Sequence, residues 1–333
     1  VTGKNWTDHE DQLSRSVFYS SQVGVPGMIR VENLVRYYGS TAAVNNVSFA
    51  IESTQVVGLL GHNGSGKTTI MKMLTGFLEP TAGRIEIGGM EIGADTRSIQ
   101  ALIGYLPENC PLWPDMRVVE FLDYQACLRR IPPADRDSAI EQALKRTGLE
   151  ERATETIRVL SRGYRQRLGV AQAILHEPSI VILDEPTNGL DPTQILQMRS
   201  LIRDLAKQST ILISTHVLQE VQAICERVLI LRAGDLVLDA RIADLAQSKR
   251  LLVTVNADVT DVLTGVRGVE AIKELSTTNN LFRYAIDLSY DCAPEIAAAV
   301  QAAGLNLHLL QPEQRNLESV FAAVNEPQTE QAP

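Results

Sequence analysis

A chain of 333 residues, 44% hydrophobic and 21% charged, is long enough to bury a large core and to hold two domains. Its net charge of −9 supplies no basic footprint for nucleic acid, and no apolar run reaches the ~18 residues that a membrane span needs. Four cysteines (Cys110, Cys127, Cys225 and Cys292) are far apart with no C-x-x-C pair, which argues for a reducing cytoplasm and against structural zinc.

Residues 1–27 are polar, carry no apolar secretory segment and are poor in periodicity, so they read as a disordered leader or an upstream start-codon choice. They precede Met28-Ile29-Arg30-Val31, which looks like a natural chain start. Val56-Val57-Gly58-Leu59-Leu60 is a short, β-branched apolar run that predicts a buried strand. Gly61-His62-Asn63-Gly64-Ser65-Gly66-Lys67-Thr68 follows it and fits G-x-x-x-x-G-K-[ST]. Thr69–Leu74 then has helical spacing. A strand, a glycine loop and a helix start aim backbone N–H groups and a positive dipole end at one point. Gly61, Asn63, Gly64, Ser65, Gly66, Lys67, Thr68 and Thr69 are therefore expected to hold a nucleoside triphosphate. Lys67 would neutralise phosphate charge, and the Thr68 hydroxyl would ligate Mg2+.

Further along, Val118–Leu122 and Ala139–Leu149 have helical spacing. Ser161, followed by Leu168, Ala171, Ile174 and Leu175, reads as a helix N-cap, and with Gly163 it forms a second anion-binding helix start. In isolation an ordinary cap is the better reading. Ile180–Leu183 is a continuous apolar strand suited to a parallel sheet covered on both faces. Asp184 and Glu185 close it, where ligands bind in open α/β sheets. Asp184 is a candidate Mg2+ residue and Glu185 a candidate base towards water. Alone, the pair would also serve as a helix cap after a core strand. Thr210–Ile213 predicts another strand.

These segments, in this order, resemble one family: the ATP-binding subunits of ABC transporters. The resemblance covers about residues 28–245. It rests on Gly61–Thr68, on Leu160-Ser161-Arg162-Gly163-Tyr164 as the signature and on Ile180–Glu185 followed by Pro186-Thr187. Asn188-Gly189-Leu190-Asp191-Pro192 is similar to the D-loop, Ser214-Thr215-His216 to the switch histidine, and Tyr38 to the aromatic that stacks on adenine. The signature departs from Leu-Ser-Gly-Gly-Gln at Arg162 and Tyr164 but keeps Ser161 and Gly163. Where the family offers a glutamine, this chain has Glu108.

The resemblance implies an α/β phosphate-loop NTPase core with an antiparallel β subdomain and a helical subdomain at about 109–165, the whole spanning 28–246. It implies that ATP is hydrolysed with Lys67, Glu185 and His216 as catalytic residues and Thr68, Glu108 and Asp184 around Mg2+. Tyr38 would take the base. Ser161 and Gly163 would close over the nucleotide of a second subunit, most simply in a homodimer. It also implies a separate integral membrane permease gripped by the helical subdomain, with Trp113, Phe121 and Tyr124 as candidate contacts, at the cytoplasmic face of the membrane. Export of a drug, lipid or polysaccharide, or a gliding-related role, is the expected work. A soluble ABC ATPase of DNA repair or translation is the alternative; the first would carry long coiled-coil insertions and the second tandem cassettes. An ATP-gated scaffold without turnover is a third reading, against which Glu185 and His216 weigh.

Residues 247–325 read as a small α+β unit of β-α-β-β-α-β order, ferredoxin-like in kind. Strands are expected from Leu251 to Val255, at Val269–Leu275, at Leu281–Leu288 and at Leu305–Leu310, with helices at Asp258–Leu263 and Ala293–Ala303 and a turn at Thr277-Thr278-Asn279-Asn280. Leu317–Phe321 predicts a last helix before a polar tail at 326–333. The unit is acidic and lacks an aromatic RNA-binding strand motif, so interaction or regulation is the expected role.

Overall fold

The computed structural model describes residues 29–246, 250–278, 281–313 and 317–325. The leader, Asn279 and Asn280 of the expected turn, and the tail lie outside the described residues.

Three sheets organise the described residues. The first is antiparallel, in the order β2-β1-β4-β5, from β1 (Ile29–Tyr38), β2 (Thr41–Ile51), β4 (Ala82–Ile87) and β5 (Met90–Glu91). The second runs β10-β9-β3-β8-β7-β6, from β3 (Val56–Leu60), β6 (Ile103–Leu106), β7 (Ile180–Asp184), β8 (Thr210–Thr215), β9 (Arg227–Arg232) and β10 (Asp235–Arg241). All of its pairings are parallel except that of β10 with β9. The helices here are α1 (Lys67–Leu74), α2 (Thr96–Leu102), α3 (Val118–Leu128), α4 (Pro133–Thr147), α5 (Arg162–Ile174), α6 (Pro192–Ala206), α7 (Leu218–Ile224) and α8 (Ile242–Ala246).

The parallel sheet is buried on both faces, which is why its strands read as unbroken apolar runs. Alternate residues of one strand enter different cores. Val57 and Leu59 of β3 pack with α1 (Ile70, Met73) and with Ile29 and Ile85 of the antiparallel sheet. Val56 and Leu60 face the helical layer, where Phe121, Leu122, Leu144 and Leu168 are buried. Phe121 is fully buried, which removes it as a partner contact; Trp113 and Tyr124 are about half exposed and meet edge to face at 4.9 Å.

One polar contact ties the helical layer to the sheet. Arg129, just past α3, donates through Nη1 to the carbonyls of Gln100 (3.0 Å) and Ile103 (3.3 Å). The same nitrogen lies 3.4 Å from Nε2 of His176, in the loop between α5 and β7. The buried His176 Nδ1 has no hydrogen-bond partner among the described residues. Burial first, and then the Arg129 charge, push the His176 imidazole down to about 3.

The third sheet is antiparallel, ordered β14-β11-β13-β12, from β11 (Arg250–Val255), β12 (Val269–Thr278), β13 (Leu281–Leu288) and β14 (Leu307–Pro312). With α9 (Thr260–Thr264) and α10 (Ala293–Ala302) it has the ferredoxin-like arrangement, and its own core includes Val253, Tyr284, Ile286 and Ile296. Thr277 and Thr278 belong to β12 rather than to a turn, and β14 begins two residues later than its pattern predicts. The last helix, α11 (Leu317–Asn325), leaves this unit: Leu317 is buried in the core beneath the helical layer of the parallel sheet.

Candidate functional site

Four neighbouring parallel strands, β3, β8, β7 and β6, end at one edge of the second sheet. Gly61 follows β3, His216 follows β8, Asp184 and Glu185 close β7, and Glu108 lies two residues past β6. Sheet topology therefore gathers four groups that are distant in sequence, where open parallel sheets bind ligands. The cleft between them measures about 470 Å³ and is lined by Asn63, Gly64, Gly66, Lys67, Thr68, Thr69, Glu108, Glu185 and His216, with Ala43 and Asn188.

The loop is held open by its glycines. Gly66 has φ 105° and is the N-cap of α1, and a Cβ there would collide with the Ala43 carbonyl oxygen. The turn thus needs glycine both for its left-handed backbone and for the close approach of β2. The Lys67 ammonium is buried, donates to the carbonyls of Gly61 (2.7 Å) and His62 (3.2 Å), and lies 4.0 Å from Glu185 Oε1. Burial pulls its pKa below the ordinary lysine value, and the charges of Glu185, Asp184 and Glu108 oppose that shift.

Behind the cleft, Asp184 is fully buried. Its Oδ1 accepts from the Ser214 hydroxyl, while Oδ2 has no hydrogen-bond partner among the described residues. A buried carboxylate oxygen left unpaired is costly, and its chemistry suits a hard cation. Glu185 has φ 50°. Its N–H donates to Ser214 O (3.1 Å), with Ser214 Oγ at 3.2 Å, and its carboxylate meets His216 Nδ1 at 2.9 and 3.0 Å. Burial raises the Tyr105 phenol well above its usual range, with Asp184 and Glu108 adding to the effect.

Not every expected residue lines this cleft. Gly61 and Ser65 are buried within the loop, and Tyr38 is half exposed at the β1–β2 hairpin, its ring 5.1 Å from the Arg36 guanidinium. Ser161 and Gly163 are also absent from the lining. Ser161 is the N-cap of α5, its hydroxyl accepting from Tyr164 N–H at 3.4 Å. Two contacts join this helix start to the segment after Glu185, one in its loop and one on α6. The Arg162 guanidinium lies against the Cα of Gly189 (φ 70°), where a side chain would collide with it, and Gly163 packs on the Gln194 side chain. Tyr164 sits near two guanidinium groups, Arg152 at 5.3 Å and Arg167 at 5.8 Å.

Three contributors were not named as site residues from the sequence, although Ser214 and Asn188 lie within the motifs that carry the family resemblance. Ser214 could have been found from its place in strand β8, which pairs it with Asp184. Asn188 adjoins the β7 carboxylates. Ala43 carries no local signal, because it arrives from a different sheet. A second cleft, of about 610 Å³, includes Phe77, Arg97, Tyr105, Leu128, Arg129 and Arg130 in its lining; Phe77 and Leu128 are largely exposed. Its Tyr105 wall is strand β6, which leads to Glu108.

Comparison with known proteins follows the same outline. Residues 44–188 match the family model described as ABC transporter. An uncharacterized ABC transporter ATP-binding protein of Bacillus subtilis, YxlF, is 39% identical over 67% of this chain and 74% of its own length. The bacitracin transport ATP-binding protein BcrA of Bacillus licheniformis is 37% identical over 63% of this chain and 68% of its own. Among solved structures, an ATP-binding subunit of an ABC transporter superposes with a TM-score of 0.60 at 28% identity, covering 66% of this chain and 91% of that one. CbiO1 from Clostridium perfringens, part of the transporter complex cbiONQ, gives 0.60 at 28%, covering 65% and 89%.

Proposed function

Since this chain belongs to the ABC transporter ATP-binding proteins and is an ATPase, we propose that it dimerises on ATP and drives a separate membrane permease in export. The observation that carries this reading is the division of its site. Lys67, Thr68, Glu108, Glu185 and His216 line one cleft, and the signature residues Ser161 and Gly163 do not. Each chain then offers half of two sites, and a two-fold homodimer completes both.

In the proposed hydrolysis the loop N–H groups and Lys67 hold the phosphates, with Lys67 leaving its two carbonyl acceptors to do so. Glu185 accepts the proton of the attacking water as the bond between the γ-phosphorus and the ADP oxygen breaks. His216 holds the Glu185 carboxylate in place. Thr68, Glu108 and Asp184 are the residues that would hold Mg2+, and the unpaired Asp184 Oδ2 supports that assignment. The ion, when bound, supplies charge neutralisation at the phosphate oxygens. Tyr38 would stack on the adenine. Ser161 and Gly163 would touch the neighbour's phosphates through a helix start.

The permease would dock in the second cleft, where exposed Phe77 and Leu128 suit an apolar segment and exposed Arg97 and Arg130 suit an acidic one. Such an occupant would press on β6, the strand leading to Glu108. We divide the chain into an ATP-binding domain at 28–246 and an accessory unit at 247–325, working at the cytoplasmic face. Export is supported by relatives named for bacitracin transport and linearmycin resistance.

Glu185→Gln tests the reading. It is expected to keep ATP binding, lose phosphate release, and form an ATP-dependent dimer by light scattering. Near-normal turnover, or a strictly monomeric variant at saturating ATP, would overturn it.

A further inference from the structure

The last helix of the chain reaches the phosphate loop. Leu317, at the start of α11, is 2% exposed within the core under the helical layer, and Phe321 packs against the same core one turn later. Beneath α11 lie α8 and α7, and α7 begins two residues after His216. The Phe321 ring meets the His62 imidazole with centroids 5.0 Å apart and planes at 53°. His62 is the second residue of Gly61–Thr68, and its carbonyl accepts from Lys67 Nζ (3.2 Å) and from Ser65 N–H (3.1 Å). A residue at the far end of the accessory unit is thus two contacts from the phosphate-binding lysine of its own chain.

We propose that Phe321 is a positioning residue for ATP: through His62 it fixes the phosphate loop, so that the docked state of α11 sets the nucleotide affinity of the chain. The inference rests on Gly61–Thr68 being the ATP phosphate loop. Its physical basis is preorganisation. His62 is solvent-exposed, and without the ring above it the loop backbone whose N–H groups hold the phosphates gains freedom that ATP must then remove. An aromatic pair of this geometry stabilises a conformation modestly. Linkage makes the effect reciprocal, so ATP would hold α11 more firmly on the core.

The test measures the equilibrium dissociation constant for ATP, together with KM and kcat, on the full chain. Phe321→Ala is expected to weaken ATP binding by about three- to tenfold and to raise KM more than it lowers kcat. Phe321→Tyr, which keeps the ring, is expected to stay near wild type. His62→Ala is expected to produce the same shift, and adding Phe321→Ala to it no more. An unchanged ATP affinity in Phe321→Ala would overturn the proposal. So would a shift that persists in full on the His62→Ala background, or a fall in kcat at constant KM. Lys67→Ala separates the two readings: if it binds ATP like wild type, the phosphate-loop assignment itself falls, whereas loss of binding there with an unaffected Phe321→Ala removes this inference alone.

Discussion

Glu185 adopts a left-handed backbone at φ 50°, a conformation that costs a residue with a side chain roughly 1–2 kcal/mol. Its amide is held by the Ser214 carbonyl and hydroxyl, and its carboxylate by His216, so the strain is met on both sides of the residue. A second residue under constraint, His176, lies far from the cleft and carries a prediction about pH. Its folded-state pKa, about 3, is below the ordinary 6.5. As pH falls through the ordinary value the unfolded chain takes up a proton and the folded chain does not, so stability is lost between about pH 6.5 and 3 and is fully present above that window. The slope from one such group is at most about 1.4 kcal/mol per pH unit. Urea unfolding of wild type and His176→Leu across pH 4–7 checks this. The variant is expected to show the shallower dependence, and equal slopes would remove His176 as the cause.

Helix α5 begins with Arg162 and Arg165 and carries no acid in its first turn, an unfavourable choice at the positive end of a helix dipole. Its cap bond, Tyr164 N–H to the Ser161 hydroxyl, is long at 3.4 Å. Ser161→Ala should therefore lower stability by less than about 1 kcal/mol in denaturant unfolding. In a Glu185→Gln background it is expected to abolish ATP-driven dimerisation by light scattering; an undiminished dimer would show that the hydroxyl serves only its own helix. How much of each element was readable depended on how local its cause is. Strands β3, β7 and β8 announced themselves because both faces are buried, and Ser161 because a cap is local chemistry. The antiparallel sheet gave no such signal: β1 and β2 pair with repeated register shifts after Val31, Leu34 and Arg36, which break the period of two. Nor could spacing distinguish buried Phe121 from exposed Tyr124, since both lie on α3 and only the packing of α4 and α5 decides between them. The convergence of Lys67, Glu108, Glu185 and His216 was anticipated through their motifs, whereas Ala43 and the seat of Phe321 depend on long-range packing.

On the scale of the molecule, the accessory sheet has a core separate from the two that sandwich the parallel sheet. It is attached through the chain before β11 and again through α11. Leu317→Ala, at a site 2% exposed, is expected to destabilise the α11 attachment by about 2–4 kcal/mol. Limited proteolysis should then cut within Leu317–Asn325 faster than in wild type while the ferredoxin-like unit survives, and unchanged cleavage would show that the helix is not anchored there. A different consequence follows from Arg162 lying across Gly189. The start of α5 and the loop behind Glu185 are in direct contact there. If α5 faces a neighbour's nucleotide in the proposed dimer while Glu185 serves its own, this contact would couple the two turnovers of a pair.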